Sequence, residues 1–179
     1  RKSSIMKTLP KLVITDIDGV WTDGSMYYDD TDQEFKRFNT SDSVGVLFLK
    51  YLEIPLVIMT GENTHIVQRR ADKLKIQEVH LGVKDKLALA RKICEKHNIS
   101  LAEVAFVGDD INDLQLLEEV GLSAVPSNAP DYIKAKVDMV LTKRGGDGAF
   151  REFVEHLVTQ HSSIDLMLKQ YAEERNLNQ

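Results

Sequence analysis

Two acidic clusters in this chain are arranged in a way that could do chemistry. Asp16 and Asp18 stand two residues apart in "ITDIDGVWTDG", and Asp109, Asp110 and Asp113 share "GDDIND" much further along. Carboxylates gathered in this way repel one another unless a cation joins them. A hard divalent ion such as Mg²⁺ takes one or two carboxylates together with waters and phosphate oxygens. Asp16 and Asp109 can hold such an ion, and Asp110 and Asp113 can orient its waters. Next to a phosphate ester, a carboxylate so placed can attack phosphorus or act as general base towards a water, and the residues alone leave both routes open. Asp18, two residues on, can protonate a leaving alcohol and then activate water. Thr60 and Lys86 can stabilise charge on a transferring phosphoryl group, and the Gly19 backbone can approach it closely. A lone Asp at a strand end is ordinarily a turn or cap residue. Asp23, Asp29, Asp30 and Asp32 are read that way, whereas the ordered set D-x-D-G, T-G, D-K and G-D-D-x-x-D is read as a site.

The elements that must position these groups follow from hydrophobic patterning. Short β-branched runs, apolar on both faces, predict strands over 11–15, 54–60, 78–82, 104–108, 122–126 and 138–142. Helical periodicity falls between them, over 43–53, 63–75, 84–98, 111–120, 130–136 and 147–160. Such alternation predicts an α/β fold, an open, doubly wound, Rossmann-like parallel sheet with right-handed crossovers. Ligands of such sheets bind at the carboxyl ends of the strands. Asp16 and Asp18, Thr60 and Gly61, Lys86, and Asp109 to Asp113 all fall at that rim. "SMYYDDTDQEFKRFN" breaks the rhythm and predicts a β-hairpin over 25–39, with Tyr27, Phe35 and Phe38 able to share one side. About 40 residues separate Asp18 from Thr60 and about 25 separate Thr60 from Lys86, too few for an inserted cap domain. The expected organisation is one domain over 1–160, followed by a polar helical tail over 161–179 that is loosely attached.

Composition narrows the partners. Lys and Arg number 23 against 28 Asp and Glu, a net charge of -5, which argues against nucleic acid because phosphate-backbone binding needs a broad basic surface. A small anion remains compatible if a few cations are focused in one cleft. A single cysteine, Cys94, excludes an intrachain disulfide, suits a reducing cytoplasm and is read as a packing thiol. No stretch approaches the roughly 20 apolar residues that cross a bilayer, and no membrane partner is expected. The five histidines show no metal-ligand spacing, and Trp21 is read as a packing residue.

With these residues in place, "DIDGV", Thr60, Lys86 and "GDDIND" resemble the four motifs of the haloacid dehalogenase superfamily of Mg²⁺-dependent phosphotransferases, from about Lys11 to Phe153. The resemblance implies that Asp16 is the nucleophile, forming an aspartyl phosphate, and that Asp18 is the general acid/base. It implies that Thr60 and Lys86 bind the phosphoryl group. Asp109 and the Asp18 main-chain carbonyl would join Asp16 on Mg²⁺, with Asp110 and Asp113 behind them.

Finer features, "DIDGVWTDG", "FNTSDSVGV", "GDDINDL" and "RGGDGAFREF", resemble the capless sugar-acid phosphatases acting on 3-deoxy-D-manno-octulosonate 8-phosphate and its nine-carbon relatives. This likeness implies a homotetramer whose hairpins associate and whose sites are completed by an adjacent subunit. "FNTSDS" and "MTGENTHIVQRRADKLK" look nearer the branch acting on 2-keto-3-deoxy-nononate 9-phosphate. Glu62 and Lys73 would be the discriminating pair, eleven apart on one predicted helix and so on one face. Arg69, Arg70 and Lys73 would suit a sugar-acid carboxylate, which guanidinium can hold bidentately. Gly19 and Gly61 complete the expected substrate contacts. Two other readings compete. A receiver domain also uses Asp, Thr and Lys on an open α/β sheet, but its acidic groups come in a different strand order. A phosphatase-like, non-catalytic assembly domain of a sialic-acid cytidylyltransferase can lose catalytic carboxylates, whereas this chain retains them all.

Overall fold

The computed structural model describes residues 6–176. Six strands form one parallel sheet: β1 (Leu12–Thr15), β4 (Leu56–Met59), β5 (Glu78–His80), β6 (Val104–Val107), β7 (Leu122–Val125) and β8 (Met139–Val140), in the order β5-β4-β1-β6-β7-β8. Each strand lies within one of the six runs expected from sequence. β1 is central, with Ile14 in register with Val57 on one side and Phe106 on the other. Successive strand side chains point to opposite faces, so each central strand feeds two cores. Leu12, Ile14, Val57, Met59, Val104 and Phe106 pack with Ala90, Ile93, Leu116 and Ile133. Val13, Ile58, Ala105 and Val107 pack with Phe48, Val67, Phe150 and Leu157 on the opposite face. The sheet is thus covered by α3 (Lys86–His97), α4 (Leu114–Glu119) and α5 (Asp131–Lys134) on one side, and by α1 (Asp42–Tyr51), α2 (His65–Lys73) and α6 (Ala149–His161) on the other. Gly45 lets α1 approach α6 closely, since a Cβ there would lie 3.0 Å from the Phe150 ring.

The hairpin is shorter than its sequence suggests. Only Tyr27–Tyr28 (β2) and Glu34–Phe35 (β3) pair, antiparallel. Tyr27 faces Phe35 across the ladder, as expected, but Phe38 leaves the hairpin and packs against the core. Asp29 closes the tip by accepting from the Thr31 and Gln33 backbone N–H groups, the turn role read from sequence. The root is fixed more firmly than the tip. Lys36 bonds Asp18, Arg37 pairs with Asp147 at 3.4 Å, and the Asn39 amide donates to the Gly146 carbonyl.

The tail is not loosely attached. α7 (Ile164–Asn176) sets Met167 at 1% exposure against the core, and Glu174 accepts from Lys50 Nζ and Tyr51 Oη on α1. Burying one such side chain contributes about 1.5–3 kcal/mol, and Ile164 and the Glu174 bonds to α1 add to the docking of a helix whose other residues are mostly polar. No helix among the described residues is long and apolar enough to cross a membrane. Cys94 is buried, and its enclosure raises its pKa, in keeping with a packing thiol.

Candidate active site

Four connections leave the sheet at its carboxyl edge and meet over β1. Asp16 follows β1 directly. Its amide is held by the Val107 carbonyl of the neighbouring strand, and its Oδ1 accepts from Ile17 N at 2.7 Å. The chain then turns through Gly19 at φ 82°, where a Cβ would strike the Asp109 carboxylate. Only glycine lets the two acidic loops come this close. The late "RGG" turn supports the same loop from behind. A Cβ on Gly145 would strike the Gly19 carbonyl, and Gly146 N donates to Val20 O. That loop-to-loop contact is the structural reason for the glycine pair. Trp21 is a packing residue: it stacks on Phe150 at 4.5 Å, and its indole N–H donates to Thr15 Oγ1.

Lys86, the first residue of α3, lies beneath the acidic cluster with 1% side-chain exposure. Its Nζ is 3.1 Å from Asp16 Oδ1 and 2.6 Å from Asp113 Oδ1. Burial alone would lower the Lys86 pKa, but the Asp16 and Asp113 carboxylates reverse this and hold it above the usual lysine value. Asp113 is fully enclosed, and its second oxygen accepts from Asp109 N and Asp110 N. Asp110 caps the short 3₁₀ turn Ile111–Asp113 that leads into α4. Asp113 therefore shapes the "GDDIND" loop while aligning the buried lysine.

Carboxylate oxygens of Asp16, Asp109 and Asp113 lie within 4.8 Å of one another. Burial raises the pKa of Asp16, and the nearby Asp113 adds to it. Burial raises Asp109 as well, reinforced by Asp16, Asp113 and Asp110. One buried ammonium does not balance these charges. Two enclosed carboxylates held against their preference for water are what a divalent cation stabilises, so the donor set fits Mg²⁺. Asp16 and Asp109 present the oxygens, and Asp113 is already engaged by Lys86 and two backbone N–H groups.

Above the cluster opens a cavity of about 410 Å³. Of the residues expected from sequence, Asp16, Asp18, Gly19, Thr60, Gly61, Glu62, Asp109 and Asp110 line it. Thr60 follows β4 and is 1% exposed. Its N–H donates to the His80 carbonyl, and its own carbonyl accepts from Val83 N. Lys86 and Asp113 lie beneath the cavity, and two further expected residues lie away from the cluster. Arg70 stands over the Phe38 ring at 5.9 Å, with Nε and Nη2 buried and without a hydrogen-bond partner. Lys73 is exposed at the last turn of α2. The expectation that Glu62 and Lys73 share a helix face does not hold. Thr64 caps α2 by accepting from Ile66 N, so the helix starts after Glu62, which sits in the preceding turn.

Sequence reasoning passed over Met26 and Asn112, which also line the cavity, and Lys36, whose Nζ bonds Asp18 Oδ2 at 2.7 Å. Asn112 lies inside "GDDIND" and was within reach of a fuller reading of that motif. Nothing local marks Lys36, which reads as an ordinary charge on an alternating strand.

This site, acidic and metal-fitted at the carboxyl edge of a parallel sheet, has the features of a phosphotransfer enzyme, and comparison with known proteins agrees. Residues 76–153 match the family model of haloacid dehalogenase-like hydrolases. The 3-deoxy-D-manno-octulosonate 8-phosphate phosphatase of Haemophilus influenzae is 34% identical over 148 residues, covering 83% of this chain and 82% of that one. The enzyme of the same name from Escherichia coli is 34% identical over 155 residues, covering 87% and 82%. A Moraxella catarrhalis 3-deoxy-D-manno-octulosonate 8-phosphate phosphatase, crystallised with a magnesium ion, a phosphate ion and KDO, superposes with a TM-score of 0.87 at 33% identity, over 90% of this chain and 93% of that one. The cobalt-bound H. influenzae structure gives a TM-score of 0.81 at 34% identity, over 85% and 89%. The chain belongs to the 3-deoxy-D-manno-octulosonate 8-phosphate phosphatase family, and it is a metal-dependent phosphatase of the haloacid dehalogenase type.

Proposed function

We propose that the chain hydrolyses the phosphate monoester of a keto-deoxy sugar acid through an aspartyl phosphate on Asp16, favouring the nine-carbon 2-keto-3-deoxy-nononate 9-phosphate over octulosonate 8-phosphate. Bound between Asp16, Asp109 and the Asp18 carbonyl, Mg²⁺ would neutralise phosphate charge. Asp16, ionised and aligned by Lys86, attacks phosphorus. Asp18 gives a proton to the departing sugar oxygen, then takes one from the water that releases inorganic phosphate. Thr60 and Lys86 counter the charge on the phosphoryl oxygens.

The observation carrying the substrate preference is Glu62 at the rim of the cavity. A carboxylate there accepts from sugar hydroxyls and repels the substrate's own acid group. It therefore favours a chain long enough to carry that group past the rim, towards cations such as Arg70 and Lys73. In one protomer neither cation lines the cavity, and on this reading an adjacent subunit brings them. A homotetramer with contacting hairpins supplies that geometry. Tyr27, Tyr28 and Phe35 are 47%, 73% and 55% exposed on strands two residues long, and a two-stranded hairpin needs cover to be stable. The test is kcat/KM across a panel of eight- and nine-carbon keto-acid phosphates. The expected result is a clear preference for the nine-carbon ester. A preference for the eight-carbon ester would overturn the substrate reading and leave the chemistry standing.

A further inference from the structure

Lys36 has an unusual position for a hairpin lysine. Its side chain is 0% exposed, although its neighbour Phe35 is 55% exposed. Among the described residues, the one hydrogen bond that its ammonium makes is to Asp18 Oδ2, at 2.7 Å. Asp18 Oδ1 accepts from Thr22 Oγ1 at 3.3 Å, and Thr22 is itself buried and receives Gly19 N and Gly24 N. Both oxygens of Asp18 are therefore held, one by its own loop and one by the hairpin. Lys36 does not line the cavity, and its contact with the site runs through Asp18. Enclosing an ammonium costs several kcal/mol unless a partner offsets it. An apolar side chain would fill the same space at less cost, so packing alone does not account for a lysine here.

We infer that Lys36 is the positioning residue of Asp18, fixing the carboxyl in the orientation that serves both proton transfers and thereby tying the hairpin's placement to turnover. The inference rests on the phosphatase reading above. In the first step the Asp16–phosphorus bond forms, the phosphorus–oxygen bond to the leaving group breaks, and Asp18 delivers a proton to that oxygen. In the second step water attacks phosphorus, its proton passes to Asp18, and the Asp16–phosphorus bond breaks. A leaving group that departs readily as an anion removes the need for Asp18 in the first step only.

The experiment uses Lys36→Met and Lys36→Arg with p-nitrophenyl phosphate, whose leaving group needs no proton, and with a sugar phosphate, whose leaving group does. Wild type must first form phospho-Asp16 from p-nitrophenyl phosphate, and its failure to do so would count against the phosphatase reading, not against Lys36. In Lys36→Met, phosphorylation by p-nitrophenyl phosphate should stay within about twofold. Hydrolysis of the phosphoenzyme should slow by about 10- to 100-fold, the usual loss when a supporting partner is removed. A burst of nitrophenol and accumulated phospho-Asp16 follow, while the sugar phosphate is slowed already in the first step. Lys36→Arg, which keeps the cation, should show a much smaller burst. Equal losses on both substrates without a burst, or an equal burst in Lys36→Arg, would assign Lys36 to packing and overturn the inference. If Lys36→Met does not fold, Lys36→Gln takes the same test with the same outcomes.

Discussion

Lys86 Nζ lies 3.1 Å from Asp16 Oδ1, with both side chains enclosed to within a few per cent. The lysine comes from the start of α3 and the aspartate from the end of β1, so two crossovers of the sheet are locked by one ion pair. Asp113 closes the triad at 2.6 Å. Lys86→Met keeps the volume and removes the charge. It should lower kcat by about 10²–10³-fold, the scale for losing one preorganised electrostatic partner. Steady-state rates with circular dichroism as a fold check decide this. A change below about fivefold would remove Lys86 from the chemistry.

The raised pKa values of Asp16 and Asp109 predict how metal and pH act together. A carboxyl whose folded pKa exceeds its unfolded value favours the folded state most at low pH, and that contribution is lost as pH rises through the folded pKa. The metal-free protein should therefore lose stability from mildly acidic to mildly alkaline pH. Mg²⁺ competes with protons for the same oxygens, so its stabilising effect should grow over that range. At 100 times Kd the gain is about 2.7 kcal/mol. Tm measured with and without Mg²⁺ at pH 6 and pH 8 tests this, and a larger Mg²⁺ shift at pH 6 would contradict it.

Glu62 and Lys73 are expected to act on substrate choice and not on the chemical step. Charged hydrogen bonds are worth roughly 1.5–3 kcal/mol. Glu62→Ala or Lys73→Ala should thus reduce kcat/KM for the nine-carbon ester by about 10- to 100-fold and leave p-nitrophenyl phosphate almost unchanged. Equal losses on both substrates would place these residues in structural support. No loss on either would return them to the solvated surface.

The exposed aromatic pair of the hairpin carries the assembly prediction. Tyr27 and Phe35 are cross-strand neighbours, and a carboxylate in place of Phe35 would be desolvated in any hairpin-to-hairpin contact. Phe35→Asp should convert a tetramer to smaller species in sedimentation and reduce sugar-acid turnover more than that of p-nitrophenyl phosphate. A wild type that sediments as a monomer while fully active would refute the assembly.

The parallel sheet was readable because each strand is a short apolar run with both faces covered, a pattern that few other structures produce. The acidic groups were readable because they end such runs. What escaped depends on partners distant in sequence. The Lys36 side chain is enclosed beside Asp18, its partner eighteen positions away. Met167 docks a helix that looks merely polar. The shared face assigned to Glu62 and Lys73 failed for a local reason, since Thr64 takes the cap and the helix begins at His65, which leaves Glu62 in the turn before it. The hairpin strands shrank to two residues each, and Phe38 turned inward to the core and Arg70.

Covalent trapping on Asp16 tests the central claim most directly. Rapid acid quench of the Mg²⁺-loaded enzyme during turnover, followed by peptide mass spectrometry, should find one phosphoryl group on the peptide carrying Asp16, labile to hydroxylamine as an acyl phosphate. Asp16→Asn should show no such adduct and should lose on the order of 10⁴-fold or more in kcat, as when a concerted catalytic unit is broken. An adduct on another residue, or an Asp16→Asn enzyme within about tenfold of wild type, would contradict the account.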